Sequence, residues 1–400
     1  MNLKLCSIAL SSITCLLSAC GGGNYQDESM SKAGSPPPAP APQLSIANED
    51  RLSGNYLHTL ALSTDGNVYA WGYNYEGQLG NNALGYSTIP VQVKGLSAIA
   101  AVKTGEHHSV ALHNDGSLWA WGSNANGQLG MSQVMATRVP MRLTGISSVK
   151  AVAAGQNHTV ALKTNGTVWG WGRTATSYTN LPKEINVSNV KALATGADFT
   201  VVLKNDGTVW AWGVNDYGQL GNGTYNNSSV PVQVSGLTNV KAVASGQSHT
   251  LALLNDGTVK AWGRNSAGQL GNGSLRTNNI PKFVSGLTGV KAISAGAYNS
   301  MALNVDGNVS AWGANAQGQL GNGSYHMEST PVRVMTVVDA VSISTGTAFG
   351  SVIQRDGQAL TFGVNATGQL GNNLAINSTK PVRVVGLSGV NTLNLGSAPH

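Results

Sequence analysis

The sequence predicts an all-β protein that folds as a closed, seven-bladed β-propeller. A Trp-Gly pair recurs at Trp71, Trp121, Trp171, Trp212, Trp262 and Trp312, and Phe362-Gly363 forms a seventh copy. An Asp-Gly or Asn-Gly pair precedes each copy by six residues. The copies are 50 residues apart except for one interval of 41, and a period near 50 residues is typical of stacked or circular arrays.

Each repeat contains the signals for four short strands. Residues 240–245, 249–253 and 258–262 are predicted as three antiparallel strands, and Asp256-Gly257 forms the tight hairpin turn between the second and the third. A fourth strand around 281–284 begins with a proline, which suits an outer edge because the missing N–H donor is not needed there. Four such strands per repeat are typical of a propeller blade.

A glycine-rich loop follows the third strand in six of the seven repeats. Its string Gly-Gln-Leu-Gly begins at Gly77, Gly127, Gly218, Gly268, Gly318 and Gly368, and its absence from the third repeat explains the 41-residue interval. Each string follows an asparagine: Asn74, Asn124, Asn215, Asn265, Asn315 and Asn365. Because the Asn and the Gln recur in every such loop, we expect their side chains to satisfy backbone groups of a buried loop.

The combination of Trp-Gly, the asparagine, Gly-Gln-Leu-Gly and a following Pro-x-x-Val resembles the repeat of the regulator-of-chromosome-condensation (RCC1) family. The resemblance covers about residues 50–396, and it implies an RCC1-like seven-bladed propeller. The best-known eukaryotic member is a guanine-nucleotide exchange factor for the GTPase Ran that also contacts chromatin. Bacterial members include a secreted propeller that inhibits β-lactamases.

The ends of the repeat array suggest how the ring closes. The sequence contains seven copies of the first-strand pattern, each ending in a glycine. The start of the chain does not provide a good copy, because Gly54 is one residue out of register with the equivalent glycines. The chain ends with a spare copy at 390–395. We therefore expect strand 390–395 to pair antiparallel with the N-terminal hairpin 58–71, which would complete the first blade and remove an exposed strand edge.

The N-terminus predicts an exported lipoprotein. Residues 1–19 combine Lys4, an apolar run over 5–17 and small residues before Cys20, which resembles a lipoprotein signal peptide with an acylated Cys20. A plain signal peptide is the alternative. Residues 20–43 form a flexible Gly- and Pro-rich linker, and residues 44–400 form the propeller. The expected location is the bacterial cell envelope, as a membrane-anchored protein of the outer membrane or of the periplasmic or extracellular face.

The sequence contains no pattern that predicts an enzyme. The other two cysteines lie in the signal peptide, so thiol catalysis and cysteine-based metal sites are excluded for the mature chain. No nucleophile-elbow, phosphate-binding loop or close carboxylate pair occurs. Net charge is +6 without any Lys/Arg-rich run, which argues against nucleic-acid binding. We expect no catalytic residues, no metal and no cofactor.

One histidine recurs at an equivalent position in four repeats: His58, His108, His158 and His249. The other repeats place Phe199, Asn299 and Phe349 there, which favours packing or blade-to-blade hydrogen bonding over a metal or acid–base role. Four lysines also share one repeat position: Lys150, Lys191, Lys241 and Lys291. They are either separate solvated side chains or a basic arc for anionic envelope polymers.

Function should reside where the repeats differ. The residues after each first strand and after each Trp-Gly lie at the same end of the ring, and they vary from blade to blade. The candidate partner-binding residues are Tyr56, Tyr73, Tyr75, Glu76, Glu106, His107, Arg173, Tyr178, Asp216, Tyr217, Arg264 and Tyr298, and Asp198 varies at the same end. Tyr and Arg are enriched at binding hot spots.

The leading functional hypothesis is a non-enzymatic, monomeric scaffold that binds a protein or an envelope polymer. An inhibitor resembling the β-lactamase-inhibiting propellers is one alternative. An exchange factor is another, which the export signal and the nearly uniform repeats disfavour, because no repeat has room for a large insertion.

Overall fold

The computed structural model describes residues 50–397, which form seven consecutive four-stranded antiparallel sheets. This confirms the predicted all-β, seven-bladed propeller. The predicted signal peptide, Cys20 and the linker lie outside the described residues. Among residues 50–397 there is no helical segment with the length and apolar character of a membrane span.

Each blade contains four consecutive strands. Blade 1 has β1 (Leu52–Asn55), β2 (His58–Leu62), β3 (Val68–Tyr73) and β4 (Tyr86–Gln92); blade 2 has β5 (Ile99–Thr104), β6 (His108–His113), β7 (Leu118–Ser123) and β8 (Ala136–Arg142). Blade 3 has β9 (Val149–Ala154), β10 (His158–Lys163), β11 (Val168–Thr174) and β12 (Ser177–Ile185); blade 4 has β13 (Val190–Thr195), β14 (Phe199–Lys204), β15 (Val209–Gly213) and β16 (Ser228–Gln233). Blade 5 has β17 (Val240–Ser245), β18 (His249–Leu254), β19 (Val259–Gly263) and β20 (Asn278–Phe283). Blade 6 has β21 (Val290–Ala295), β22 (Asn299–Asn304), β23 (Val309–Gly313) and β24 (Glu328–Arg333); blade 7 has β25 (Ala340–Thr345), β26 (Phe349–Gln354), β27 (Ala359–Gly363) and β28 (Ser378–Arg383).

The strand register defines two ends of the ring. In blade 5, Ser245 pairs with Thr250 and His249 pairs with Gly263, so the end of the first strand, the start of the second and the end of the third lie together. We call this the upper end. The Asp-Gly turns lie at the opposite, lower end, where Asp256 Oδ1 accepts a hydrogen bond from the Thr258 N–H (2.9 Å).

In blades 2 to 7, the first strand contains a β-bulge near the lower end of the ring. The bulged residues are Ala100, Lys150, Lys191, Lys241, Lys291 and Val341. A bulge leaves one residue unpaired and redirects its side chain. The four lysines that share a repeat position therefore project from bulges on consecutive blades.

Apolar side chains fill the spaces between neighbouring blades. One cluster combines Leu251, Leu253 and Val259 of blade 5 with Leu270 of its loop and Trp312 of blade 6. The alternating pattern of each strand directs these side chains to the blade face, where they are removed from water. Burial between blades, at roughly 1.5–3 kcal/mol for each large apolar side chain, is the main stabilising contribution.

Tryptophan hydrogen bonds join consecutive blades. The indole Nε1 of Trp121 donates to the Gln78 carbonyl in the loop of the preceding blade (2.8 Å), and the same bond recurs for Trp171, Trp262 and Trp312. The loop that offers this carbonyl is shaped by its asparagine: Asn265 Oδ1 accepts from the Leu270 N–H (2.9 Å). In the same loop, Gln269 Oε1 accepts from the Ala267 N–H (2.9 Å), so the predicted structural role of the Asn and Gln side chains is confirmed.

The recurring histidines also join blades. His58 Nε2 lies 3.0 Å from Ser109 Oγ of the next blade, and His108, His158 and His249 make the equivalent contact with a Thr or Ser hydroxyl. All four rings are buried, and burial lowers the pKa of His58, His108 and His249 to about 3 and that of His158 to about 4. These histidines are therefore neutral structural side chains.

The predicted pairing of strand 390–395 with hairpin 58–71 is wrong. The first strand of blade 1 is Leu52–Asn55, which pairs with His58–Leu62 and already occupies that position. Asn55 occupies the position that is glycine in the other blades. Gly54, one residue earlier, is therefore not the equivalent of those glycines. The C-terminal segment instead forms isolated bridges with blade 7 and touches blade 1 through the Thr64 N–H, which donates to the Leu395 carbonyl (2.9 Å).

The ring is closed by the same bonds that join its other blades. Trp71 Nε1 of blade 1 donates to the Gln369 carbonyl of blade 7 (2.8 Å). Near the ring axis at the upper end, the Thr347 N–H donates to the Tyr56 carbonyl (3.2 Å). Leu393 and Leu395 are buried in a cluster with Leu52 of blade 1, so the side chains of the C-terminal segment pack at the junction between blades 7 and 1.

Candidate functional site

The upper end of the ring carries most of the tyrosines. Ten of the eleven tyrosines lie in the described residues, and all of these except Tyr69 are located at the upper end. They lie on the loops between the first and second strands, at the end of a third strand or on the loop after it, or near the start of a fourth strand. These positions vary between blades, whereas the Trp, Asn, Gln and Asp-Gly positions are nearly constant.

A first cluster brings together candidates from blades 1 and 2. The Tyr73 ring lies 5.1 Å from the Tyr75 ring and 5.8 Å from the His107 ring, measured between centroids. His107 Nε2 lies 3.7 Å from Glu106 Oε1. Tyr75 is 54% exposed, so the cluster presents an aromatic ring to the solvent with a carboxylate beside it.

A second cluster combines blades 4, 5 and 6. The guanidinium of Arg264 lies 4.7 Å from the Tyr217 ring centroid and 4.9 Å from that of Tyr298. Arg264 Nη1 also donates to the Tyr298 hydroxyl (3.3 Å). Cation–π contacts on both sides hold the Arg264 side chain in one orientation, which lowers the entropy lost when it binds a partner.

The centre of the upper end contains Tyr56, Glu106, Asp198 and Tyr298. Burial raises the pKa of Tyr56 far above its usual range, and the charges of Glu106 and Asp198 add to this effect. Burial and the Glu106 charge also raise the pKa of Asp198, while Arg173 opposes them. Side chains from blades 1, 2, 4 and 6 therefore share one electrostatic environment around the ring axis.

Tyr56 has unusual backbone and side-chain features. Its φ of +50° lies in the left-handed region, which is costly for a residue with a bulky side chain. Its hydroxyl is buried without a hydrogen-bond partner within the described residues. Backbone strain of this kind often occurs at functional sites.

The remaining candidates lie at the upper end but outside these clusters. Arg173 and Tyr178 are paired across the tight turn that joins β11 to β12, which replaces the long loop in blade 3. Tyr178 is 64% exposed. Asp216 and Glu76 are exposed on the loops of blades 4 and 1. In residues 50–397 none of these four side chains forms a salt bridge.

The sequence reasoning missed an outer rim of exposed apolar side chains. They lie where the glycine-rich loops lead into the fourth strands: Leu84, Tyr86, Met135, Tyr225, Leu275, Tyr325, Met327, Leu374 and Ile376. The sequence does contain a signal for this rim, because large apolar residues follow the Gly-Gln-Leu-Gly string at positions that differ between repeats. This rim surrounds the central tyrosines and enlarges the apolar area of the upper end.

The chemistry of the upper end suits non-covalent recognition. Within residues 50–397 no group of three or more His, Cys, Asp or Glu side chains is placed to hold a metal ion. The exposed groups are phenol rings, carboxylates and a stacked guanidinium, which supply contact area, hydrogen bonds and charge.

Family models match nearly all of the chain. The model of the RCC1-like domain matches residues 17–350, and the model of the regulator of chromosome condensation (RCC1) repeat matches residues 356–394. The chain belongs to the RCC1-like domain family. No curated protein matches this RCC1-like chain significantly in sequence.

Solved structures share the fold of this RCC1-like domain. Prp20p from Saccharomyces cerevisiae, described with its binding to Gsp1p and histones, is 23% identical with a TM-score of 0.73, over 85% of this chain and 89% of Prp20p. Yeast RCC1 (Prp20) bound to Kap60 is 22% identical with a TM-score of 0.74, over 92% of each chain. Human WBSCR16 is 22% identical with a TM-score of 0.72, over 80% of this chain and 94% of that one.

Proposed function

We propose that this RCC1-like protein is a non-enzymatic scaffold of the bacterial cell envelope, anchored by a lipid on Cys20. Its propeller binds a protein partner through the upper end. The signal-peptide-like pattern of residues 1–19 supports the location, and the Gly- and Pro-rich composition of residues 20–43 supports a linker between the lipid and the propeller.

The observation that carries this proposal is the gathering of aromatic and charged side chains at variable positions of one end. The Tyr73 ring lies close to the rings of Tyr75 and His107 in a tilted arrangement, and Arg264 contacts both Tyr217 and Tyr298. Large, rigid side chains of this kind supply much of the binding energy in protein interfaces. Protein binding is also described for the structurally similar yeast Prp20p, with Gsp1p and histones.

The proposal is tested by affinity capture from envelope extracts with the full chain as bait. We expect the simultaneous replacement of Tyr73, Tyr75, Tyr217 and Arg264 by alanine to abolish capture, because it removes the anchors of both clusters. The matched control replaces four exposed lower-end residues, Lys94, Thr164, Asn205 and Asn255, by alanine and should capture the same partner as the unchanged protein.

Quantitative mass spectrometry of the bound fractions measures the outcome. Capture that is equal for both quadruple variants would contradict a binding role for the upper end. Thermal melting of both variants confirms that each is folded, since all eight replaced side chains lie outside the cores between blades.

A further inference from the structure

The lower ends of blades 3 and 4 carry two pairs of lysines, which we call the basic patch. In blade 3 the bulged Lys150 follows Val149, and Val149 pairs with Lys163 on the second strand. Blade 4 repeats this arrangement with Lys191 and Lys204. None of the four side chains is buried. Because like charges repel, these pairs stabilise nothing within their own blades and concentrate positive charge at the lower end.

The basic patch is a departure from the repeat. Among blades 2 to 7, which share the bulge, only blades 3 and 4 have a lysine at both positions. The bulged residue is Ala100 in blade 2 and Val341 in blade 7. The positions equivalent to Lys163 and Lys204 in the other four blades are His113, Leu254, Asn304 and Gln354. Folding of a blade therefore does not require either lysine.

Few carboxylates lie beside the basic patch. The hairpin turn of blade 3 has Asn165 where the other six blades have aspartate. In blade 4, Asp206 already accepts hydrogen bonds from the N–H (2.9 Å) and the hydroxyl (2.7 Å) of Thr208. Glu184 on the outer strand of blade 3 follows Lys183, so these two residues add no net charge. Within residues 50–397 none of the four patch lysines forms a salt bridge, which leaves their charge available to an external anion.

Two lysines of the basic patch are positioned by half-buried tryptophans. Lys163 Nζ lies 5.2 Å from the centroid of the Trp169 ring, and Lys204 Nζ lies 4.5 Å from that of Trp210. A cation–π contact leaves the ammonium charged and restricts its motion, which lowers the entropy lost when it binds an anion. The positions equivalent to these tryptophans in blades 5 to 7 are Lys260, Ser310 and Leu360. The tryptophans are therefore a second local departure that accompanies the lysine pairs.

The chain enters the propeller at the same end as the basic patch. Strand β1 runs from Leu52 at the lower end to Asn55 at the upper end, so the residues before it join the propeller at the lower end. In the proposed function these residues lead back to a lipid on Cys20, and the present inference rests on that anchor. The 30 residues 20–49 span at most roughly 100 Å, so the lower end lies within reach of the anchoring bilayer. Such a tether raises the local concentration of the membrane surface.

We propose that the basic patch docks on an anionic phospholipid bilayer and turns the upper end away from the membrane. The lysine ammonium groups meet the phosphates of the headgroups, and each lysine near an anionic surface adds roughly a factor of five to the binding constant. A bilayer fits better than a soluble anionic polymer, because the point of chain entry brings this end, and not the upper one, to the membrane. In this orientation the tyrosine-rich upper end stays accessible to a protein partner.

Co-sedimentation with lipid vesicles tests this orientation. The full chain carries Cys20→Ser, so that no lipid is attached and the readout does not depend on acylation or on partner capture. We expect binding to vesicles of phosphatidylglycerol and phosphatidylcholine to be at least about tenfold tighter than binding to pure phosphatidylcholine. High salt should remove this preference, because exposed charges are screened. The quadruple variant Lys150→Ala, Lys163→Asn, Lys191→Ala, Lys204→Asn should also lose it.

The matched control removes four exposed cations outside the basic patch by alanine substitution: Arg138, Arg276, Lys282 and Lys380. It changes the net charge equally and should bind the anionic vesicles like the unchanged chain. The patch substitutions introduce residues that other blades carry at these positions, and thermal melting checks that both variants fold. Equal binding to neutral and anionic vesicles, or equal losses in the two variants, would overturn the proposal. Soluble alginate that displaces the protein from the vesicles would also overturn it, in favour of an acidic polysaccharide.

Discussion

At the residue scale, the buried histidines make the fold sensitive to acid. His249 Nε2 contacts Ser300 Oγ of the next blade at 2.9 Å, and burial lowers its pKa to about 3. An unfolded histidine has a pKa of about 6.5, so the unfolded state binds an extra proton between about pH 6.5 and pH 3. The stability from the neutral ring is complete above pH 6.5 and is lost as the pH falls through this window.

We predict that His249→Phe reduces the pH dependence of stability. Phenylalanine occupies the equivalent position in blades 4 and 7, and Ser300 keeps its bond to the Gln269 carbonyl. Between pH 6 and pH 4 the free energy of unfolding of the unchanged protein should fall more steeply, by about 1.4 kcal/mol per pH unit. Denaturant unfolding measures both slopes, and the exposed His326→Gln serves as the control. Parallel profiles for the unchanged protein and His249→Phe would refute the interpretation.

At the scale of the element, the glycine-rich loop connects one blade to the next. Its Gln carbonyl accepts the indole N–H of the following blade, as Gln219 does for Trp262 (2.9 Å). Blade 3 replaces this loop with a tight turn, and the indole of Trp212 in blade 4 makes no hydrogen bond within residues 50–397. The 41-residue repeat therefore weakens one junction of the ring.

We predict that Trp262→Phe costs more stability than Trp212→Phe. Both substitutions remove the same atoms from a buried ring, but only the first breaks a blade-to-blade hydrogen bond. The difference in the free energy of unfolding should be about 1–2 kcal/mol, the usual contribution of such a bond. Chemical denaturation of the two variants gives the comparison, and equal losses would show that the loop bond contributes nothing.

The elements that repeat were predictable, because each has its own local signal. The Asp-Gly turn requires residues that tolerate positive φ, and Gly257 has a φ of +79°. The first strand of blade 1 was not predictable in the same way. Asn55 stands where the other blades have glycine, so the register of Leu52–Asn55 became visible only from its pairing with His58–Leu62.

At the scale of the whole molecule, the sequence predicts where the candidate site lies but not which of its side chains contact one another. Strand direction alone places Tyr73 and Tyr298 at the same end of the ring. The stacking of Arg264 between Tyr217 and Tyr298 depends on the distances between blades 4, 5 and 6, which no local pattern encodes. For the same reason, the sequence did not predict that the carboxylates of Glu106 and Asp198 both lie close enough to Tyr56 to raise its pKa.

The ring separates two roles among its residues. The Trp, His, Asn and Gln positions that recur hold the blades together, and the upper-end positions that vary form the proposed partner-binding surface. Consecutive blades are joined near the axis by backbone hydrogen bonds, such as that from the Gln156 N–H to the Ala197 carbonyl (3.1 Å). A partner at the upper end therefore meets a surface whose parts are held in fixed positions.

Hydrogen–deuterium exchange of the full chain, alone and with its captured partner, tests this account most directly. We predict slower exchange in the partner complex at residues 73–76, 106–107, 216–217 and 264, with unchanged exchange in the Asp-Gly turns of the lower end. Protection confined to the lower end, or to the outer strands with the upper-end loops unchanged, would contradict it.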